Sequence, residues 1–441
     1  MGHEPLISVG IIDGRPAVSG RFNGVYTVEG GHNLSGEFTA RVEEGTIALS
    51  NGHHGKIIRS PVIRCSAGRD AFFHVSDVAI GIDFHWERKE EQAFLGNLIF
   101  RLRSDGTMAL INEVNVEDYL ASVVSSEMNS AAPKEFLKAH AIISRSWLLA
   151  TLEKKGRKGH HHQTPAAMGK NEVVRWYDRE DHDMYDVCAD DHCQRYQGIT
   201  KMMSGQAGEA VRQTRGIVIA FGDTICDARY SKSCGGLTEN FATAWQDTCV
   251  PYLTSISDSP IPHRPIKSED EAQLWIESHP IAYCNTADAH ILEGILPTMD
   301  LETNDFFRWS VGYARQELEG ILKEKSGFDM GTLQALIPLK RGPSGRISRL
   351  AVVGSKRRIV VGRELEIRRW LSPSHLYSSA FVVKTNRDSQ GKIRGFVFQG
   401  AGWGHGVGLC QIGAAVMATK GFAAEEILLH YFPFTKLKRI Y

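Results

Sequence analysis

The apolar residues change period near Asn115, and that change limits what the chain can fold into. Before it, residues 5 to about 112 break into short runs such as ISVGII, AVSGRF, GVYTVEG, IALS and LIFRLR. Gly, Asn or Asp turns separate these runs, which reads as a β-rich region. After it, NVEDYLASVVSSEM (115–128) sets Leu120, Val123 and Val124 at helical spacing. Asn115 is the expected N-cap, with Glu117 and Asp118 in the first turn. Glu127 stands four residues after Val123 and three after Val124, so it belongs to the face that must be buried. A buried carboxyl resists ionisation, which suits a general acid working near neutral pH. The competing reading is a helix-end glutamate that reaches solvent and makes a surface pair.

A second helical pattern follows in PKEFLKAHAIISRSWLLATLEKK, with Pro133 in its first turn and Phe136, Leu137, His140, Ile143, Trp147 and Leu148 as its apolar stripe. His140 reads as a core or edge histidine, and Arg145 and Ser146 are placed facing a groove beside Glu127. The run 154–171 reads as a solvated loop. Its His160, His161 and His162 resemble an adventitious metal patch, because successive residues share no face.

His182, Cys188, His192 and Cys193 offer two thiols and two imidazoles within twelve residues. That is a complete tetrahedral set for zinc, and four protein ligands leave no open position, so the expected role is structural. A Cys/His cluster without metal is the alternative. Cys65, Cys226, Cys234, Cys249, Cys284 and Cys410 are scattered and read as buried free thiols.

Two β-branched runs flank Gly222–Asp223 as a hairpin. The following YSKSCGG (230–236) either lets a polar ligand approach backbone closely or is a plain strand-to-loop turn. SEDEAQLWIES and DFFRWSVGYARQELEGILKEKSG read as helices, the second stopping near Gly327. RISRLAVVG and KRRIVVGRELEIRRWL read as strands with a basic, solvated edge. In FQGAGWGHGVGLCQIGAAVMA, glycines at 402, 404, 406 and 408 are expected to clear one side of a strand and set Trp403, His405 and Val407 together on the other. The spacing is not a dinucleotide fingerprint. His405 is equally a core histidine or a groove residue.

Composition excludes some classes of partner. Lys plus Arg and Asp plus Glu are 51 each over 441 residues, so no field draws in nucleic acid or anionic lipid. No apolar run is long enough to cross a bilayer. The start, MGHEPLISVGIIDG, lacks the parts of a signal peptide, which leaves a cytoplasmic protein or a mature form.

Together, YLASVVSSEM with PKEFLKAHAIISRSW, DHCQRYQG, TRGIVIAF with YSKSCGGLTEN and AWQDTCVPYL, and GWGHGVGLCQIGAAVMA with LHYFP resemble the stage II sporulation protein D family, also called SpoIID/LytB or the amidase-enhancer domain. The resemblance implies an α+β fold, with a β-rich N-terminal extension over 1–107 and a mixed α/β catalytic domain over 108–441. Residues 258–345 would be a partly helical insertion within it. It implies a lytic transglycosylase acting on peptidoglycan glycan strands already stripped of stem peptides, and a place in the cell envelope or periplasm. Glu127 matches the family's catalytic glutamate. It would protonate the oxygen between N-acetylmuramic acid and N-acetylglucosamine, then take the proton of the muramic C6 hydroxyl as the 1,6-anhydro ring closes. An intramolecular nucleophile lets one carboxyl serve as acid and then base, where ordinary glycosidases use two. Ser231, Ser233, Gly235, His405 and Gln411 fall in motifs expected to line the sugar groove, formed by the Glu127 helix, the YSKSCGG loop and the GWGHG motif. Cys234 and Cys410 depart from the family pattern. His182, Cys188, His192 and Cys193 fit the zinc cluster of some members. The alternatives are a non-catalytic glycan binder that assists a cell-wall amidase, and a zinc hydrolase.

Overall fold

The computed structural model describes residues 3–51, 57–82, 87–157, 166–169, 171–176, 182–202, 204–297, 300–301 and 305–441. The chain divides into two compact units. The first is Met1–His161, Asp181–Val218 and Lys438–Tyr441, and the second is His162–Glu180 and Ile219–Leu437. The content is α+β, as expected from the sequence.

The first unit is built on one large, mainly antiparallel sheet. Its strand Leu6–Arg15 pairs with Met108–Asn115, which pairs with Asn97–Leu102 and so on to Val62–Ala67, Ala17–Val28 and His32–Glu43. The alternating apolar residues of these runs meet in an aromatic core. Phe22 lies 4.6 Å from both Tyr26 and Phe38, and Phe73 lies 5.5 Å from Phe94, ring centre to ring centre. All five rings are 2% exposed or less. Burial of each such side chain stabilises the fold by about 2–3 kcal/mol.

Strand Met108–Asn115 runs without a loop into helix α1 (Val116–Glu127). Asn115 occupies the N-cap position in an extended conformation, but its side chain makes no cap bond. The Glu117 N–H is instead capped by the carboxylate of Glu4 at 3.1 Å. The helix is buried almost all round and not on one stripe only. Two of its buried hydroxyls are satisfied locally, Ser125 on the Ala121 carbonyl and Ser126 on the Ser122 carbonyl, both at 2.8 Å, while the Ser122 hydroxyl has no partner among the described residues. Helix α2 (Lys134–Arg157) starts one residue after Pro133, and α3 (Gly205–Gln213) is capped by Ser204. Both pack against α1. The solvated loop and histidine run expected over 154–171 fall in part on α2, which continues to Arg157, while His160, His161 and His162 lie outside the described residues.

In the second unit, Ala166–Gly169, Glu172–Arg175, Arg358–Gly362, Ile347–Gly354 and Leu333–Arg341 form one sheet. Arg308–Ala314, Ile393–Ala401 and Phe381–Arg387 form another. Leu318, Leu350, Val352, Ile367, Trp370, Phe396 and Phe398 share its core. Helix Glu269–Glu277 and the hairpin pairing Ala220 with Ile225 are as expected.

Two helix and strand expectations are corrected. DFFRWSVGYARQELEGILKEKSG contains a strand (Arg308–Ala314), and its helix (Arg315–Ser326) begins only where the alternating pattern ends. It does stop at Gly327, at φ 77°. GRELEIRRWL is not an exposed strand edge but a short helix (Glu364–Trp370). Buried Glu366 bonds Arg369 and the Trp370 indole there, which offsets the cost of its desolvation.

Candidate functional site

Glu127 ends α1 and is 8% exposed, so the sequence expectation of a buried carboxylate is met. Its Oε1 accepts the backbone N–H of Arg195 at 3.1 Å. That donor belongs to the segment Gln194-Arg195-Tyr196-Gln197, all four residues of which are buried. Each is tied to the helices or the sheet. Tyr119 Oη donates to Gln194 Oε1 at 3.1 Å, and Gln194 Nε2 donates to the Ser144 carbonyl at 3.3 Å. Tyr196 Oη donates to Asn112 Oδ1 at 2.6 Å, and the Gln197 N–H donates to Ser126 Oγ at 3.3 Å. The tyrosine rings of 119 and 196 stack at 5.0 Å. A rigid loop therefore aims one N–H at the carboxylate and fixes its orientation.

Arg145 and Ser146 do not face a groove beside Glu127. Arg145 is fully buried and grips Glu117 with two hydrogen bonds, of 2.9 and 2.6 Å, while donating to the Ile217 carbonyl at 3.0 Å. Glu117 also accepts from the Gly216 N–H and Tyr441 Oη. Ser146 Oγ bonds the Ile142 carbonyl. A buried guanidinium must be paired, and that need turns the first-turn acid of α1 inward. His140 is a core residue, as expected, fully buried and 3.3 Å from Ser144 Oγ.

His182, Cys188, His192 and Cys193 converge in the first unit, their donor atoms all within 4.8 Å of one another. His182 Nε2 and His192 Nδ1 each lie 3.4 Å from Cys193 Sγ, and His192 Nδ1 lies 3.8 Å from Cys188 Sγ. Tetrahedral zinc, with Zn–S about 2.3 Å and Zn–N about 2.0 Å, needs edges of about 3.5–3.8 Å. The donors fit that ion. The bond from Cys193 and the nearby His182 and His192 hold the Cys188 thiol far below its ordinary pKa, the direction a ligating thiolate needs.

The N-terminal strand supports this loop. Val9 and Gly10 pair in parallel with Val187 and Cys188, and Ser8 donates through N–H and Oγ to Asp186 Oδ2 at 2.9 and 2.7 Å. Gly10 has no side chain because the Tyr185 ring fills its place, 2.5 Å from where a Cβ would stand.

In the second unit, YSKSCGG and GWGHG are brought together. Tyr230 and Ser231 pair in parallel with Leu409 and Cys410, and Ser233 exchanges two backbone bonds with Trp403. The glycine-alternating segment is not an extended strand. Gly402, Gly404, Gly406 and Gly408 all have φ between 73° and 91°, so the backbone coils and its side chains diverge. Trp403 stacks on Tyr377 at 4.1 Å, His405 meets Trp245 edge-on at 4.9 Å, and Val407 is fully buried. The space left by the glycines holds Arg346. A Cβ on Gly406 would lie 2.3 Å from its Cζ, and one on Gly402 would lie 2.8 Å from its Nη2. Arg346 donates to the carbonyls of Cys234 and Gly404, both at 3.1 Å. Nothing in GRISRL marked this residue.

Of the residues expected to meet sugar, Ser231, Ser233, Gly235 and Gln411 are buried and His405 is partly exposed. Among the described residues, the hydroxyls of Ser231 and Ser233 have no hydrogen-bond partner. His405 Nδ1 accepts the Val407 N–H at 3.0 Å, so its proton sits on Nε2. Desolvation, then Arg229 and Arg346, push its pKa well below the ordinary value and keep it neutral. A separate cleft of about 480 Å³ in this unit is lined by Asp305, Arg308, Trp309, Lys384 and Gln399, and by none of the five.

Residues 104–221 match the family described as Stage II sporulation protein, and residues 239–408 match a family described as a domain of unknown function. A protein of Brachyspira hyodysenteriae is 25% identical over 340 residues, 77% of this chain and 70% of its own length. Stage II sporulation protein D of Bacillus amyloliquefaciens is 25% identical over 327 residues, 73% of this chain and 74% of its own. The amidase enhancer of Bacillus subtilis is 24% identical over 252 residues, 53% of this chain and 33% of its own.

Proposed function

For a chain that carries a stage II sporulation protein (SpoIID) domain over residues 104–221, we propose a cell-wall function exercised on glycan, with Glu127 as its catalytic group. The chain is a lytic transglycosylase of peptidoglycan strands in the cell envelope. The observation that carries this reading is the buried Glu127 carboxylate inside the matched segment, held by the Arg195 N–H.

Glu127 first donates its proton to the oxygen between N-acetylmuramic acid and N-acetylglucosamine. The carboxylate so formed takes the proton of the muramic C6 hydroxyl, which attacks C1 and closes the 1,6-anhydro ring. No water enters, so one carboxyl completes the cycle. Ser231, Ser233, Gly235, His405 and Gln411 are the proposed sugar contacts. The unpartnered hydroxyls of Ser231 and Ser233, and the Nε2–H that the Val407 bond leaves on His405, support that assignment. His182, Cys188, His192 and Cys193 would hold zinc as a structural ion. Its four protein ligands leave no position for a reacting water, which weighs against a zinc hydrolase. Among the described residues no helix is long and apolar enough to cross a membrane.

The test is mass spectrometry of denuded glycan strands incubated with this protein and with Glu127→Gln. The expected products are 1,6-anhydro ends formed by the native chain alone. The likeness to an amidase enhancer favours a second reading, a glycan binder that assists a cell-wall amidase. Intact strands that stay bound would establish it. Reducing ends would replace both readings with a hydrolase.

A further inference from the structure

Three cysteines with no neighbour in sequence, Cys234, Cys284 and Cys410, meet one aspartate, Asp258, in the interior of the second unit. We propose that these four residues form a second structural metal site, for a single tetrahedral zinc ion, independent of the His/Cys cluster and of the activity proposed above.

The donor atoms of all four residues lie within 4.8 Å of one another, and all four residues are buried. Cys234 Sγ and Cys284 Sγ are 3.7 Å apart. That is the edge of a zinc–thiolate tetrahedron, about 3.8 Å for Zn–S near 2.3 Å. It is far too long for a disulfide, whose sulfurs are about 2.05 Å apart. A cluster of several irons needs its thiolates spread over separate metal atoms, so this spacing fits one ion.

The surroundings are those of a ligand shell rather than of an apolar thiol pocket. Asp258 is fully buried, yet no cationic side chain pairs with it among the hydrogen bonds and ion pairs of the described residues. Its Oδ2 accepts the Cys284 N–H at 2.9 Å and its Oδ1 accepts Tyr431 Oη at 2.6 Å. Each oxygen keeps a lone pair for an ion, and the two bonds set its direction. The Cys234 N–H points at Cys410 Sγ over 3.2 Å, a donor suited to a thiolate. Gly413 lets the carboxylate in, since a Cβ there would stand 2.4 Å from Asp258 Oδ1. Three thiolates and a carboxylate around a divalent ion leave two negative charges. Two guanidiniums flank the cluster to offset them, the fully buried Arg346 on the Cys234 carbonyl and the partly buried Arg308 on the Gly235 carbonyl, both at 3.1 Å. Hard oxygen-loving ions do not select three sulfurs, so zinc is the expected occupant.

Such an ion joins YSKSCGG, the 258–284 stretch and the start of helix Gln411–Thr419 at one point. It accounts for two cysteines that depart from the family's usual serine-rich and glycine-rich motifs.

The test is metal content by mass spectrometry of full-length protein purified without a tag. Dialysis against a weak chelator first removes loosely held ions. Two zinc ions per chain are expected in the native protein. One is expected in Cys284→Ser and in Asp258→Asn, and one in Cys188→Ser/Cys193→Ser. A single ion in the native chain, lost entirely from Cys188→Ser/Cys193→Ser, would overturn the site. So would a Cys234–Cys284 disulfide found in a non-reducing digest. Cobalt substitution of the native chain guards against variants that fail to fold. Two equivalents with thiolate-to-cobalt absorption support the proposal, and saturation at one equivalent with the absorption of two thiolates and not three overturns it.

Discussion

The backbone N–H of Arg195 donates to Glu127 Oε1 across 3.1 Å, although 68 residues separate the two in sequence. Arg195 stands two residues after Cys193, so the loop that would hold zinc also presents the donor to the carboxylate. The N-terminal strand holds that loop in turn, through Val9–Val187 and Gly10–Cys188. A β-rich region with no catalytic motif thus supports the position of the candidate acid.

Replacing Glu127 by Gln should abolish strand cleavage and leave the fold intact. The amide oxygen still accepts the Arg195 N–H, but no proton can be exchanged. The expected loss is about 100-fold to 10,000-fold, the usual contribution of acid–base catalysis. Anhydro-product release and a thermal melt, read on the same preparation, check both halves.

Stripping metal from the His182, Cys188, His192 and Cys193 cluster should loosen the segment that follows it. Amide hydrogen exchange at Arg195 and Gln197 is expected to rise in Cys193→Ser while α1 stays protected. Cleavage should fall with it even though Glu127 is untouched. Unchanged exchange at these two amides would separate the cluster from the carboxylate.

Arg145 and Glu117 form a pair whose side chains are 0% and 13% exposed. Arg145→Met leaves the Glu117 charge buried beside Tyr441 and Gly216, so a cost of about 3–5 kcal/mol is expected. The urea midpoint should fall, and the double variant with Glu117→Gln should recover part of the loss. Equal and additive losses would mean that the pair does not couple.

Gly406→Ala should be far more damaging than Gly421→Ala. Both glycines have positive φ, 73° and 91°, which alone costs an L-residue about 1–2 kcal/mol. A Cβ on Gly421 meets nothing within 4 Å, whereas one on Gly406 strikes the buried guanidinium of Arg346. Melting temperatures of the two variants compare steric displacement with backbone strain.

His375 gives a pH dependence of known sign. Desolvation, then the charges of Arg368, Arg369 and Lys325, lower its pKa to about 4. The unfolded chain therefore binds the extra proton first as pH falls below about 6.5. Stability is full above that pH and declines down to about 4, by up to about 3 kcal/mol before solvent screening. His375→Gln should flatten the difference between urea midpoints at pH 7 and pH 4.5. An unchanged pH slope would show that His375 does not carry this effect.

The sequence by itself determined what local rules control. The period change at Asn115 placed a helix directly after a strand, and the spacing from Val123 put Glu127 on a buried position. The twelve-residue window from His182 to Cys193 brought its four ligands together because a short loop can hardly keep them apart. The tertiary structure alone decided contacts between distant segments, where spacing carries no information. Cys234, Asp258, Cys284 and Cys410 meet only after strand pairing and helix packing have set their backbones. Arg346 fills the space beside Gly402 and Gly406, where both glycines take positive φ, a choice that an alternating pattern does not reveal. Arg145 turned out to be a buried ion-pair partner and not a groove residue, since helical period gives a face but not the charge waiting opposite it.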